Sequence, residues 1–202
     1  MKDQSTIYYA KIMLFGEYSV IKNSMALTVP YGHFNGELNF IHHNNYTDYD
    51  FAKRSNISLY NLLGYLRKLN EQDRLISRFN IEAFAEDLNK GLYFESSIPE
   101  GYGVGSSGAL VAALYNRYAD DRPDPDHLTG KQMAGLKNTL AQLESFYHGT
   151  SSGIDPLNSY VKTPLLFSGN GDVQKANINL PGKNRDFAVF LLNRSEERRV
   201  GK

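Results

Sequence analysis

The sequence predicts an α+β fold in which strands and helices mix without strict alternation. Three observations carry that prediction. Short apolar runs with strand-like character sit towards both ends, leucine- and alanine-rich stretches at helical spacing fill the middle, and a glycine-rich segment joins a strand to a helix. At 202 residues the chain can build one good core, or one domain plus part of another.

Ile7 to Phe15 reads as the first strand, carrying Lys11 among Ile12, Leu14 and Phe15 and ending at a Gly16-Glu17 turn. Met25 to Pro30 is a returning strand. The aromatic and polar stretch from His33 to Asp50 holds strand-like pieces such as Gly36 to Ile41, and His42-His43-Asn44-Asn45 marks a loop tip. Leu59, Leu62, Leu63, Leu66 and Leu69 recur at three-and-four spacing, which predicts an amphipathic helix from Ile57 to Leu69. Ile81 to Leu88 is ambiguous, because its apolar residues alternate while its Ala, Glu and Asp content suits a helix. Leu92 to Ser96 alternates like a strand and Ile98-Pro99 closes it. Ser107 to Tyr118 predicts a helix apolar on most sides, and therefore buried. A loop with Pro123 and Pro125 follows. Thr129 is an N-cap candidate for a helix running to Tyr147, with Met133, Leu136, Leu140 and Leu143 on one face. Leu165 to Phe167, Val173 to Ile178 and Phe187 to Leu192 read as short strands, and the charged tail Ser195 to Lys202 changes character abruptly.

Composition removes whole classes of function. Lys plus Arg balance Asp plus Glu at 22 each, so no global field points to nucleic acid or to a membrane surface. With no cysteine there is no disulfide framework, no thiolate nucleophile and no Cys-ligated zinc, which suits a reducing compartment. The start, Met1-Lys2-Asp3-Gln4, has no apolar signal core, and no run approaches the ~20 apolar residues of a membrane span. The expectation is a soluble cytoplasmic protein with a small-molecule partner. The sequence is silent on oligomeric state.

Ile98-Pro-Glu-Gly-Tyr-Gly-Val-Gly-Ser-Ser-Gly-Ala109 has the build of a phosphate cradle. Gly101, Gly103 and Gly105 let backbone approach a bulky anion, and Ser106 and Ser107 stand where a helix begins, with its unpaired N–H groups and positive dipole end. The spacing is neither a Walker A loop nor a clean Gly-x-Gly-x-x-Gly turn. A cation must come from elsewhere, and Lys11 can supply it. Phosphoryl transfer also asks for a divalent metal and a carboxylate to receive the acceptor's proton. Glu144 with one hydroxyl of the glycine loop would suit Mg²⁺, which prefers a few protein oxygens plus phosphates. Asp155, after a Ser-Ser-Gly turn, could act as general base towards an alcohol. Each residue taken singly has a plainer reading: a tight turn for the glycine loop, an edge lysine for Lys11, a solvated helix residue for Glu144, a turn initiator for Asp155. His148 reads as structural or loop-orienting, since no second histidine at ligand spacing accompanies it.

In order along the chain, Lys11-Ile-Met-Leu-Phe-Gly-Glu-Tyr-Ser-Val20, the glycine loop, and Glu144-Ser-Phe-Tyr-His-Gly-Thr-Ser-Ser-Gly-Ile-Asp155 resemble the signature regions of the GHMP kinases, nearest to the mevalonate kinases among them. The resemblance implies an N-terminal domain of ribosomal-protein-like fold with a left-handed βαβ unit, against the usual right-handed preference. It implies Asp155 as catalytic base and Lys11 as its electrostatic partner. Pro99, Gly101, Gly103, Val104, Gly105, Ser106 and Ser107 would bind ATP phosphates with Ser152 beside them, and Ser107 and Glu144 would hold Mg²⁺. The implied activity is phosphorylation of a small-molecule alcohol, with mevalonate first and phosphomevalonate, a sugar or homoserine as alternatives. A non-catalytic nucleotide-binding fragment is the other reading. Two positions depart from the family: Tyr18 stands where a histidine is common, and Gly108 replaces an alanine. The family's third motif, a glycine-rich loop in a ferredoxin-like C-terminal domain, has no counterpart here. Residues 1–182 are therefore expected to form the ATP-binding domain, 183–194 to open a largely missing second domain, and 195–202 to be a non-native or disordered tail.

Overall fold

The computed structural model describes residues 6–16, 24–41 and 48–178. Glu17, Tyr18, His42, His43, the expected strand at 187–192 and the tail lie outside them. The architecture is mixed α/β around one antiparallel sheet. Strands β1 (Tyr8–Phe15) and β2 (Ala26–Phe40) pair antiparallel, with Tyr8 opposite Gly36 and Phe15 opposite Leu27. β3 (Leu92–Ser96) pairs with residues 36–40 of β2, and β4 (Leu165–Phe167) with residues 26–28, so the two share the edge of β2 away from β1. β5 (Val173–Lys175) adds beyond β4 and is shorter than the Val173 to Ile178 expected.

β2 is one strand of 15 residues, where the sequence suggested two pieces separated around Pro30. The proline is tolerated for a geometric reason. The Lys11 N–H points away from β2 to the carbonyl of Val104 at 2.9 Å, so Lys11 and its partner Pro30 form a non-hydrogen-bonded pair. The nitrogen of Pro30 then faces the gap between β3 and β4, where no ladder bond is lost.

Five helices complete the fold: α1 (Tyr49–Glu71), α2 (Ile81–Asn89), α3 (Ser106–Tyr118), α4 (Gly130–His148) and α5 (Ile154–Val161). The leucines expected to face the core of α1 are all buried, but the helix begins eight residues before Ile57. Asp48 caps it, its side chain accepting the Phe51 N–H at 3.0 Å. Asn80 decides the ambiguous segment the same way, accepting from the Ala83 N–H at 3.0 Å and directing Ile81, Phe84 and Leu88 inwards as α2. Thr129 and Gln132 form a reciprocal capping box on α4. α5 was not expected, since Pro156 discourages a helical reading; the proline sits in the first turn, where its missing N–H costs nothing.

The core lies between the sheet and the helices. α3 occupies its centre, burying Ala109, Val111, Ala112, Ala113 and Leu114. These small side chains let α5 come close. A Cβ added to Gly108 would lie 2.8 Å from the Cβ and carbonyl carbon of Asp155 and from the nitrogen of Pro156. The glycine found in place of an alanine at 108 is thus required by the α3–α5 contact. Among the described residues no helix is long and apolar enough to cross a membrane.

Candidate active site

Two helix N-termini meet above the sheet. α3 is entered through Gly105 (φ 80°) and α5 through Gly153 (φ 72°), both in the left-handed region that glycine adopts without strain. Both N-cap residues are glycines with no side chain to cap the helix, and among the described residues no side chain takes a first-turn N–H of α3, so these groups stay unspent at the glycine loop. The loop itself is tied down through Val104, whose side chain is buried and whose carbonyl accepts the Lys11 N–H from the outer edge of β1. Gly101 (φ 81°) and Gly103 (φ 69°) differ from Gly105: nothing lies within 4 Å of an added Cβ at the first two, whereas at Gly105 Lys11 Cγ lies 3.0 Å away.

Lys11 reaches under this loop. Its side chain is almost wholly buried, and Nζ pairs with Asp155 Oδ1 at 3.1 Å. Asp155 stands in the first turn of α5, keeps about a quarter of its side chain exposed, and lines a cavity of about 810 Å³. With Oδ1 on the ammonium, Oδ2 remains as an acceptor facing the loop at Gly105. The cavity is walled on one side by Pro99, Gly101, Gly103, Gly105, Ser106 and Ser107. Opposite stand Phe51, Arg54, Ser55 and Ser58 of α1, with Tyr147 of α4.

Glu144, 4% exposed, forms the second polar centre. Its Oε1 accepts from Ser107 Oγ at 2.9 Å, and its Oε2 accepts from Ser151 Oγ. The one hydroxyl proton of Ser107 is thereby committed, so His148 Nε2, 2.9 Å from the same Oγ, must be a donor. No lysine or arginine among the described residues forms an ion pair with Glu144. Burial, reinforced by the charge of Asp155, pushes its carboxyl above the usual glutamate range against the help of the two serines. The donors fit Mg²⁺: a carboxylate and a hydroxyl, hard oxygens both, beside a glycine loop with unspent backbone N–H groups. Among the described residues no group of three or more His, Cys, Asp or Glu could hold a metal by itself, so the remaining ligands would have to come from a nucleotide and water.

Residues far apart in sequence thus converge: Lys11, the glycine loop, Glu144 and Asp155 share one site. Ser152 does not join the cavity wall; it is exposed on the turn before α5, and its Oγ accepts from the Ile154 N–H at 3.4 Å. Its neighbour Ser151 reaches Glu144 instead, and nothing in a Ser-Ser pair tells which hydroxyl turns inwards. The α1 wall was missed too, because the turn from Tyr49 to Asn56 carries little of the leucine periodicity that marks the rest of the helix.

A comparison with the curated proteins finds no match. Similar solved structures include the mevalonate kinase of Methanococcus jannaschii, at 16% identity and TM-score 0.45, covering 88% of this chain and 57% of that one. They also include that of methicillin-resistant Staphylococcus aureus MRSA252, at 20% identity and TM-score 0.45, covering 85% and 54%. A third is the L. major mevalonate kinase in complex with R-mevalonate, at 19% identity and TM-score 0.40, covering 84% and 50%. The chain spans a little over half the length of the first two. Residues 73–161, which run from just past α1 through α5 and include the glycine loop, Glu144 and Asp155, match the family model of the GHMP kinases N terminal domain.

Proposed function

We infer that residues 1–182 form the ATP-binding part of a small-molecule kinase that phosphorylates an alcohol. Mevalonate is the first candidate substrate, because the three motifs resemble those of mevalonate kinases most nearly, and the product would then serve isoprenoid precursor synthesis. The observation that carries this reading is the pair Lys11–Asp155, 3.1 Å apart, with the lysine buried beneath a glycine loop and the carboxylate reaching a cavity. A carboxylate held by an ammonium, with a second oxygen left to accept, is what deprotonation of an alcohol requires.

The geometry supports a role for each residue. Loop backbone from Gly101 to Ser107, with the N–H groups at the head of α3, receives triphosphate oxygens. Glu144 and Ser107 would hold Mg²⁺, whose contribution there is to neutralise phosphate charge. Asp155 Oδ2 takes the proton of the acceptor hydroxyl, and Lys11 presents positive charge to the oxygen as it attacks. The cavity wall of α1 and Tyr147 excludes water from the nucleotide.

ADP release in the presence of ATP, Mg²⁺ and mevalonate tests the reading, with phosphomevalonate, homoserine and galactose as alternative acceptors. Asp155→Asn is expected to lower turnover by about 10³-fold while ATP affinity stays within about threefold, as for loss of a general base. A matching loss of ATP affinity would remove Asp155 from that role. Because the chain spans little more than half of the kinases it matches, ATP binding without turnover is the second reading. ATP raising the melting temperature with no ADP released from any acceptor would mark it. No thermal response to ATP with or without Mg²⁺ would end both.

A further inference from the structure

Ser151 is fixed from three sides. Its backbone N–H donates to Ser145 Oγ at 3.2 Å, and Ser145 in turn donates to the carbonyl of Ala141 at 2.7 Å, so the turn is tied to the last stretch of α4. Its Oγ accepts the Gly153 N–H at 3.0 Å. Gly153 packs closely against α4, since a Cβ there would clash with the carbonyl oxygen of Lys137. With an acceptor site of the hydroxyl oxygen occupied, the hydroxyl proton points to Glu144 Oε2. That carboxylate is almost fully buried, its other oxygen is on Ser107, and its charged form is disfavoured by burial. A buried carboxylate without a cation keeps one orientation only if both oxygens are held.

We propose that Ser151 is a positioning residue: it locks the Glu144 carboxylate with Oε1 towards Ser107, so that the two protein oxygens proposed for the divalent cation stay together, and it ties them to the turn that delivers Asp155. The inference rests on the kinase reading above. It also separates the adjacent serines. Ser151 acts through Glu144, whereas Ser152 makes no contact with it among the hydrogen bonds of the described residues.

Mn²⁺ binding by the 202-residue chain in the presence of ATP, read from the electron paramagnetic resonance of free Mn²⁺, tests this without relying on turnover. Ser151→Ala is expected to weaken Mn²⁺ by about tenfold or more, the usual cost of losing a group that orients a metal ligand. Metal-free ATP affinity should change by less than about twofold, and Ser151→Thr, which keeps the hydroxyl, should restore Mn²⁺ binding. Ser151→Cys keeps the volume but donates poorly, and should behave like the alanine variant if the latter does not fold. Wild-type Mn²⁺ affinity in the alanine and cysteine variants would overturn the role of Ser151 while leaving the kinase reading intact. Equal losses of Mn²⁺ and metal-free ATP binding would also overturn it, as the mark of a merely structural turn. A wild-type chain that holds no more Mn²⁺ with ATP than ATP holds alone would instead sink the kinase reading, and this proposal with it.

Discussion

Asp87 on α2 and Glu144 on α4 are both helical carboxylates with little exposure, and the fold treats them in opposite ways. Asp87 receives two hydrogen bonds from Arg117, at 2.8 and 3.0 Å, one from the Tyr118 hydroxyl at 2.9 Å, and one from Lys90 at 3.3 Å. Burial pushes its carboxyl up, but the Arg117 contacts outweigh burial and hold it below the usual range. Glu144 is held by the hydroxyls of Ser107 and Ser151 with a smaller contribution from the charge of His148, and burial prevails. The first arrangement is complete within the protein and joins α2 to α3. The second has no lysine or arginine paired with it among the described residues, and it stands beside a glycine loop whose helix-head N–H groups are unspent.

Arg117→Ala should therefore be the most damaging change to stability and among the least damaging to ligand binding. It would remove two charge-assisted bonds from Asp87 and the stacking of the guanidinium over Phe40 and Tyr118, with centroids 5.7 and 5.6 Å away. About 2 kcal/mol is expected, below the range for fully buried pairs because about a third of the Arg117 side chain is exposed. Urea unfolding measures the first, and ATP titration the second. A loss of ATP affinity exceeding the loss of stability would break the distinction between the two carboxylates.

A smaller effect separates two helical glycines. Gly108→Ala is expected to cost about 1 to 2 kcal/mol, since a methyl 2.8 Å from Asp155 and Pro156 must force α3 and α5 apart. Gly135 of α4 is exposed with nothing within 4 Å of an added Cβ, so Gly135→Ala should stabilise by about 0.5 to 1 kcal/mol through helix propensity alone. Thermal melts of the pair check the sign difference. Equal signs would mean that the α3–α5 contact is looser than the structure shows.

How much of this was legible in the sequence depends on whether the signal is local. The core leucines of α1 and the Thr129 cap follow from spacing and from one hydroxyl, so periodicity found them. β2 was broken in two because Pro30 usually ends a strand, and only the neighbouring strands show that its nitrogen faces a gap. α5 was missed for a related reason, its proline being harmless only in a first turn. The glycine loop, Glu144 and Asp155 could be singled out because each sits in a compact motif. That Lys11 lies 3.1 Å from a residue 144 positions later follows from the packing of α5 on β1 and from no spacing rule. The same holds for Arg54 and Ser58, which reach the cavity only because α1 crosses β3.

The finest test of the comparison is the pH dependence of stability. For Asp87 the folded carboxyl is held below its unfolded value, so its contribution is present above the unfolded value near 3.8 and is lost as pH falls through the folded one. For Glu144 the folded carboxyl lies above the ordinary glutamate value of 4.5, so its contribution is fully present below that value and is lost as pH rises through the folded one. Above that folded value the wild-type protein carries at Glu144 a charge that burial disfavours. Glu144→Gln keeps the shape, can still accept from one serine and donate to the other, and removes the charge. Its melting temperature should exceed that of the wild type at pH 8, with a gain in unfolding free energy on the order of 1 kcal/mol or less, and the gain should vanish as pH falls below the ordinary glutamate range. The variant should at the same time lose its divalent-cation response, because the group it removes is the one held ready for the metal. A melting temperature below wild type at every pH would mean that Glu144 is satisfied by its serines, and its likeness to Asp87 would then outweigh the difference.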